Sequence, residues 1–260
     1  MKLNHTVTGP DGALPILLVH GLYGQGRNLG AQARRLAQTR RVVTVDLRNH
    51  GDSPQDDRAD YPALADDLAD LIGDLGGRVD LVGHSMGGKA AMVLALTRPD
   101  LMRRLVVMDI APLAYAHDQT RYIDAMEALD LSLVTRRSQA DAALSAQVGD
   151  AGIRAFLLQN LDLKASPPAW KLNLTALRAA MPQIVGWPDD MPAGRFAGKV
   201  MALRGARSDY VDEAGEAALR AHFPQVRIVT LKDAGHWLHA DDPEAVAETL
   251  AAFLGDGQGD

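Results

Sequence analysis

One serine of the chain lies in a pattern that suits nucleophilic chemistry. Residues 83–87 match G-x-S-x-G, in which a serine hydroxyl is exposed at a turn between a strand and a helix. An apolar run at 79–83 precedes Ser85, and a stretch rich in Ala, Met and Leu at 86–96 follows it. The two glycines are needed because so tight a turn leaves no room for side chains beside the serine. The pattern predicts that Ser85 is a nucleophile; a glycine-rich turn without chemistry is the alternative.

One histidine is placed to activate that serine. His236 lies between the last predicted strand and the last predicted helix, so we expect it on a loop within reach of Ser85. A neutral imidazole there accepts the serine proton and then returns it to the leaving group. The chain has 8 histidines, and most of the others are expected at the surface. His239 is expected to shape the loop that carries His236.

The predicted oxyanion hole combines two backbone amides. His20 and Gly21 end an apolar run, and a turn there would point the N–H of Leu22 toward the nucleophile. The N–H of Met86, directly after Ser85, supplies the second donor. Loss of one such donor typically lowers turnover by about 10²–10³-fold. A tight turn at a strand end is the structural alternative for this segment.

Short apolar runs alternate with helical patterns along most of the chain. Near-continuous apolar strands indicate a parallel sheet covered on both faces, and their alternation with helices indicates an open, doubly wound α/β fold. The six predicted strands are 15–20, 41–46, 79–83, 105–109, 200–204 and 226–231. The predicted core helices are 29–36, 62–75, 86–96, 211–222 and 243–253.

The alternation stops in segment 112–191, which has helical patterns and no convincing strand. Because a structureless loop of this length is uncommon in a compact domain, we expect a helical insertion that forms a cap, or lid, over a pocket. The core then consists of residues 1–111 and 192–254. Residues 255–260 are expected to form a disordered tail.

Composition narrows the class of protein. The chain has 260 residues, 47% of them hydrophobic and 23% charged, which is typical of a globular domain with a large core. The absence of cysteine excludes thiol catalysis and cysteine-ligated zinc. A formal net charge of -6 argues against a nucleic-acid partner. No metal-binding cluster or phosphate-binding loop is visible, so we expect no metal and no cofactor.

The N-terminus has no apolar run of signal-peptide length, and no stretch is long enough to span a bilayer. We therefore expect a cytoplasmic protein without membrane insertion. No oligomeric state is predicted.

The motifs together resemble those of the α/β-hydrolase family over essentially the whole chain. The segments that occur in the family's order and spacing are 20–21, 46–54, 83–88 and 235–236. The more particular segments 48–51, 88–90, 108–112 and 235–240 resemble a subgroup of small acyl esterases and thioesterases. That subgroup includes the bacterial YbfF-type esterase and its mitochondrial abhydrolase relatives. The resemblance implies an α/β-hydrolase fold with the cap inserted after the family's sixth strand.

The sequence offers two candidates for the acidic partner of His236 in the predicted triad. Most of the family carries this acid three residues after a glycine at the seventh strand, and here that position holds Ser208, with Asp209 one residue late. A serine cannot supply the charge that stabilises an imidazolium. Asp109, at the end of the sixth strand, is a position that other family members use for the acid. We favour Asp109, with Ser208 supporting His236, and keep Asp209 as the alternative.

The pocket is expected between Ser85 and the cap, because ligands of open α/β sheets bind outside the carboxyl ends of the strands. The predicted substrate-binding residues are His20, Tyr23, Tyr115, Phe156, Trp187, Tyr210 and Trp237. Their apolar character suggests an apolar acyl group. The resemblance implies hydrolysis of short- to medium-chain carboxylic esters, with acyl thioesters as a second class of small-molecule substrate.

Other functions use the same fold. Carbon–carbon bond hydrolysis and cofactor-free perhydrolysis employ the same serine and histidine. A non-enzymatic ligand receptor would keep the pocket, but it has no need of an intact nucleophile, base and oxyanion loop.

Overall fold

The computed structural model describes residues 1–117, 119–189 and 191–255. Its strands, in chain order, are β1 (His5–Thr8), β2 (Ile16–Val19), β3 (Val42–Val45), β4 (Val79–His84), β5 (Met102–Met108), β6 (Leu161–Asp162), β7 (Ala169–Trp170), β8 (Lys199–Gly205) and β9 (Arg227–Leu231). Seven of them form one sheet in the order β1-β3-β2-β4-β5-β8-β9. All neighbours in this sheet are parallel except β1, which runs antiparallel to β3. The predicted, mostly parallel α/β sheet is confirmed.

The helices cover both faces of this sheet. In chain order they are α1 (Gly30–Leu36), α2 (Tyr61–Asp74), α3 (Met86–Thr97), α4 (Thr120–Glu127), α5 (Arg137–Leu144), α6 (Ala151–Leu157), α7 (Leu174–Ala179), α8 (Met181–Val185), α9 (Glu213–His222), α10 (Leu238–Asp241) and α11 (Pro243–Leu254). Helix α1 packs against α11, and α2 packs against α3. The five predicted core helices correspond to α1, α2, α3, α9 and α11.

The alternation of side chains along the strands divides the core in two. Leu17 and Val19 of β2 belong to the apolar cluster that contains α2 and α3, whereas Ile16 and Leu18 belong to the cluster that contains α1 and α11. Successive residues of a strand point to opposite faces of the sheet. A strand buried on both faces therefore reads as an unbroken apolar run, which is why β2 is visible in the sequence.

Strand β1 is absent from the sequence-based prediction. It lies at the edge of the sheet, and its four residues, from His5 to Thr8, are half-buried or exposed. An edge strand of this kind has no continuous apolar signal, so its place is set by pairing with β3 and not by its own pattern.

Segment 112–191 contains α4 to α8 and the antiparallel pair β6–β7. The prediction that this segment holds no strand is wrong, because Leu161 pairs with Trp170 and Asp162 with Ala169. Strands of two residues are too short to show an alternating pattern.

Polar contacts join the same segment to the α/β core. The Asn173 N–H donates to the Asn49 carbonyl at 3.0 Å, and the Gln25 side-chain amide donates to Asn160 Oδ1 at 2.7 Å. The Tyr61 hydroxyl of α2 donates to the carbonyl of Ile184 in α8 at 2.5 Å.

The described chain ends one residue after α11. Residues 256–260 of the predicted tail lie outside the described residues, so its disorder stays a prediction. Within the described ranges, no helix has the length and apolar character needed to cross a bilayer.

Strand ends position the candidate site. Strand β4 is followed directly by Ser85 and β5 by Asp109, while Ser208 follows β8 and His236 follows β9. Because neighbouring parallel strands end at the same edge of a sheet, the four side chains are brought to one place.

Candidate active site

Ser85 lies on a sharp turn between β4 and α3. Its backbone has φ 51° and ψ -119°, a strained combination for a residue with a side chain. The turn closes because the flanking positions are glycines: a Cβ on Gly83 would lie 2.3 Å from the Gly87 carbonyl oxygen, and one on Gly87 would lie 2.4 Å from the His20 carbonyl oxygen. This is the steric requirement that the sequence pattern predicts.

His236 connects Ser85 to Asp109. Its Nε2 lies 3.1 Å from Ser85 Oγ, and its Nδ1 lies 2.8 Å from Asp109 Oδ2. A carboxylate can only accept, so Nδ1 carries the proton in this arrangement and Nε2 is free to accept from the serine hydroxyl. These three side chains therefore have the geometry of a nucleophile, a base and an orienting acid.

The Asp109 carboxylate is buried and fully hydrogen-bonded. The residue is 1% exposed, and its Oδ1 accepts from the Gly205 N–H at 3.0 Å. Its Oδ2 accepts a short hydrogen bond from the Ser208 hydroxyl in addition to that from His236. These hydrogen bonds on both oxygens hold the carboxylate in a fixed orientation beside the imidazole.

Asp209 does not approach His236. Its side chain is 84% exposed, and its Oδ2 lies 4.0 Å from His117 Nε2. Of the two candidate acids in the sequence, the structure brings only Asp109 to the imidazole. Ser208, at the family's usual acid position, contacts the carboxylate of Asp109 and thereby supports His236 indirectly.

The loop after β2 lies directly beside Ser85. A Cβ on Gly21 would lie 3.0 Å from Ser85 Cβ and 3.0 Å from His84 Nδ1. Among the hydrogen bonds of the described residues, neither the Leu22 nor the Met86 N–H has an acceptor. Two free amides next to a nucleophile are what an oxyanion hole requires.

Buried histidines hold this loop in place. His20 Nδ1 donates to the Gly21 carbonyl at 2.7 Å, and its Nε2 accepts from the Leu47 N–H at 3.0 Å. His50 Nε2 likewise accepts from the Tyr23 N–H at 3.2 Å. Burial lowers the pKa of His20 and lowers that of His50 to about 3. Both rings are therefore neutral, and their hydrogen bonds hold the loop in place. His20 also lines the cavity.

Two further histidines pack around His236. His84 Nε2 lies 2.9 Å from the His236 carbonyl oxygen, and its ring lies 4.5 Å from that of His239. Burial holds the pKa of His84 well below its usual value and lowers that of His239 to about 4. Both rings are neutral and add no positive charge beside His236.

A cavity of about 500 Å³ opens over Ser85. Six of the seven predicted substrate-binding residues line it: His20, Tyr23, Tyr115, Phe156, Tyr210 and Trp237. Segment 112–191 supplies part of the wall, including Tyr115 and Phe156. A cavity of this size is typical of a small-molecule site.

The prediction that Trp187 lines the cavity is wrong. Its ring lies edge-on against that of His222, with centroids 5.6 Å apart, and it is not among the described lining residues. Trp187 follows Gly186, where α8 has ended, so its side chain turns toward α9 instead of toward Ser85.

Several lining residues are absent from the sequence-based prediction. They include Tyr61, Lys89, Ile110, Gln119, Arg121, Tyr122, Ile153 and Ile184. The sequence could have indicated Lys89 as a lining residue, since it lies one helical turn after Ser85. The others come from elements whose orientation over the sheet has no signature in the sequence.

The family of the chain follows from comparison with known proteins. The model of the α/β-hydrolase family matches residues 16–249. The chain is 40% identical over 264 residues to the mouse (Mus musculus) sn-1-specific diacylglycerol lipase ABHD11, covering 98% of this chain and 85% of the relative. It is 37% identical over 263 residues to esterase YbfF of Escherichia coli K12, covering 98% and 100%.

A solved structure agrees with these relatives. A protein described as a marine microorganism esterase superposes with a TM-score of 0.93 at 31% identity, covering 97% of this chain and 99% of the other. The chain therefore belongs to the α/β-hydrolase family, and the predicted fold is confirmed. Within that family it is an esterase- or lipase-type hydrolase.

Proposed function

We propose that the chain is a serine carboxylesterase that hydrolyses short- to medium-chain acyl esters through an acyl-enzyme on Ser85. The observation that carries the proposal is the continuous chain of contacts from Asp109 through His236 to Ser85 at the wall of the cavity. Relatives that are named an esterase and a lipase support the same class of reaction.

In the acylation step, Ser85 Oγ forms a bond to the ester carbonyl carbon while its proton passes to His236 Nε2. The N–H groups of Leu22 and Met86 donate to the carbonyl oxygen as it becomes negative. The tetrahedral species then expels the alcohol oxygen, which takes the proton from His236. Throughout, Asp109 keeps the imidazole oriented and stabilises its charged form.

In the deacylation step, a water molecule gives one proton to His236 and its oxygen attacks the acyl carbon. The bond to Ser85 Oγ then breaks, and Ser85 recovers the proton from His236. The products are one carboxylic acid and one alcohol, and the enzyme returns to its starting protonation state.

The cavity supports the proposed substrate range. Apolar rings and aliphatic side chains dominate its walls, which suits an acyl chain of a few carbons. We include acyl thioesters as a second substrate class, because a thioester carbonyl reacts by the same steps. Segment 112–191 acts as the cap in this proposal, since it supplies Tyr115, Phe156 and Val185 to the cavity wall. The cytoplasmic location stays a prediction.

Hydrolysis of p-nitrophenyl acetate, butyrate and octanoate tests the proposal. We expect turnover of at least one ester by the unmodified chain and background rates for Ser85→Ala. Ser145→Ala is a matched control, because Ser145 is exposed and its hydroxyl donates to the carbonyl of Ala142, three residues before it. An unmodified chain that is inert on all three esters but still binds apolar ligands would support the receptor alternative instead.

A further inference from the structure

Lys89 lies one helical turn from the nucleophile, and its side chain is inside the protein. The Lys89 N–H donates to the Ser85 carbonyl at 3.0 Å in the first turn of α3. Only 1% of Lys89 is exposed, yet it is among the residues that line the cavity. Lysines are almost never fully buried unless they are paired, so this position needs an explanation.

The surroundings of the ammonium group locate it at one end of the cavity. Lys89 Nζ donates to the carbonyls of Val185 at 3.0 Å and Gly186 at 2.5 Å, and it lies 4.7 Å from the centre of the Tyr115 ring and 5.7 Å from that of Tyr61. Val185, Tyr115 and Tyr61 all line the cavity. We call this end of the cavity, formed by Tyr61, Lys89, Tyr115, Ile184 and Val185, the lysine end.

No carboxylate neutralises this charge within the described residues. None of the ion pairs among them includes Lys89. The titratable residues that face Nζ are Tyr61 and Tyr115, which present their rings to it. Both are neutral because burial raises the pKa values of their hydroxyls. Asp209 is the one acidic side chain among the described lining residues, and it points into solvent near His117.

A buried cation with neutral ligands is costly. Burial lowers the pKa of Lys89 to about 7, so the charged form is destabilised when the cavity holds no anion. An ammonium group has three protons, and the Val185 and Gly186 carbonyls take two of them. A charge-assisted hydrogen bond from the third proton to an anion would relieve this cost.

We propose that the lysine end binds a carboxylate carried by the ester substrate, so that the preferred substrates are esters with a second, free carboxylate. This inference rests on the proposed function and names its substrate class. Lys89 is a specificity-determining residue in this view, and it takes no part in the proton transfers between Ser85 and His236.

A purely structural role for Lys89 would give a different result. The two carbonyls that accept from Lys89 lie at the end of α8, so the ammonium group also joins the nucleophile helix to the cap. If that were its whole role, removal of the charge would affect all esters alike. Pairs of substrates that differ in one group therefore separate the two roles.

The experiment compares kcat/KM for ethyl valerate and monoethyl glutarate. The acyl chain of the first ends in a methyl group, and that of the second ends in a carboxylate at the same position. Butyl acetate and 4-acetoxybutyrate form the corresponding pair with the carboxylate on the alcohol side. We expect the carboxylated member of one pair to be preferred at pH 6. If it is the first pair, the acyl half of the ester occupies the lysine end; if it is the second pair, the alcohol half does. Lys89→Met should lower this preference at least tenfold, whereas the exposed control Lys232→Met should leave it unchanged.

The pH dependence of the unmodified enzyme gives a test without any substitution. The ester carboxylate is ionised across pH 6 to 9, and any effect of pH on the reaction at Ser85 is common to both members of a pair, so it cancels in the ratio of kcat/KM values. The group on which the proposed preference depends is Lys89, which is charged below about pH 7. The preference for the carboxylated ester should therefore be high at pH 6 and fall as the pH rises through 7.

The outcomes are distinct. Efficient hydrolysis of the neutral esters with no preference for either carboxylated ester at pH 6 overturns the inference and leaves the proposed function intact. Equal loss on both members of a pair in Lys89→Met also overturns it, in favour of the structural role. If no ester of either kind is hydrolysed, the proposed function fails and the inference fails with it.

Discussion

The ring of Tyr210 lies flat against the imidazole of His236. The ring centroids are 3.8 Å apart, and the planes differ by 17°. Burial raises the pKa of the Tyr210 hydroxyl to about 12, so the ring is neutral, and the hydroxyl accepts from the Gln119 side-chain amide at 3.3 Å. Because the face of an aromatic ring is electron-rich, this contact stabilises His236 more when the imidazole is protonated than when it is neutral.

Replacement of Tyr210 by leucine should therefore reduce catalysis. Cation–π contacts are worth about 0.5–2 kcal/mol, which corresponds to a loss of roughly 2- to 30-fold in kcat. Tyr210→Phe keeps the ring and should stay close to the unmodified enzyme. The measurement is kcat on p-nitrophenyl butyrate. Equal kcat values for Tyr210→Leu and Tyr210→Phe would show that the stacking has no electrostatic effect.

The acid of the triad can be assigned by two substitutions. Asp109→Asn removes the charge that both His236 and Ser208 contact, and we expect a loss approaching the roughly 10⁴-fold typical of a triad aspartate. Asp209→Asn changes an exposed carboxylate and should cost less than about twofold, since surface changes of this kind have small effects. The measurement is kcat/KM on p-nitrophenyl butyrate. A larger loss in Asp209→Asn would reverse the assignment.

Ser208 should matter less than Asp109 and more than an ordinary surface serine. Ser208→Ala removes one of the hydrogen bonds to the Asp109 carboxylate, while those from His236 and Gly205 remain. A hydrogen bond to a charged group contributes about 1.5 kcal/mol or more, so a fall of about tenfold in kcat/KM is expected. Ser145→Ala gives the reference value. A loss as large as that of Asp109→Asn would mean that Ser208 has a role beyond support of the carboxylate.

The oxyanion loop can be displaced by one methyl group. Gly21→Ala places a Cβ 3.0 Å from Ser85 Cβ and His84 Nδ1, so we expect the loop to shift by a few tenths of an ångström and to take the Leu22 N–H out of position. Loss of one oxyanion donor lowers kcat by about 10²–10³-fold. Gly73→Ala on α2 is the matched control, because its Cβ would meet nothing within 4 Å. Similar activity in the two variants would argue against an oxyanion role for this loop.

The parts of the fold that the sequence specified are those with a local signal. Strands β2 to β5 read as apolar runs because they are buried on both faces. The glycines around Ser85 are dictated by the turn itself. The position of His236 after the last strand followed from strand order alone. Asp109 was favoured because the family that the chain resembles includes members with the acid at this position, and the structure puts it in contact with His236.

The features that the sequence analysis did not predict depend on contacts between residues distant in sequence. Strand β1 is defined by its pairing with β3, and its exposed residues carry no periodic signal. Trp187 has the same apolar character as Phe156, but only the direction of the chain after α8 decides that it packs on His222 and not in the cavity. The burial of Lys89 depends on α8 lying over α3, and the residues around Lys89 do not reveal that packing.

The candidate site is assembled from distant parts of the chain: His236 lies 151 residues from Ser85 and 127 from Asp109. During synthesis, the segment that carries Ser85 and Asp109 emerges long before β9 and His236 are available. Under the proposed mechanism, a nascent chain that already holds most of the sheet therefore lacks the base and cannot attack esters. Hydrolysis would then begin only when β9 has docked, so the onset of activity would report completion of the whole sheet.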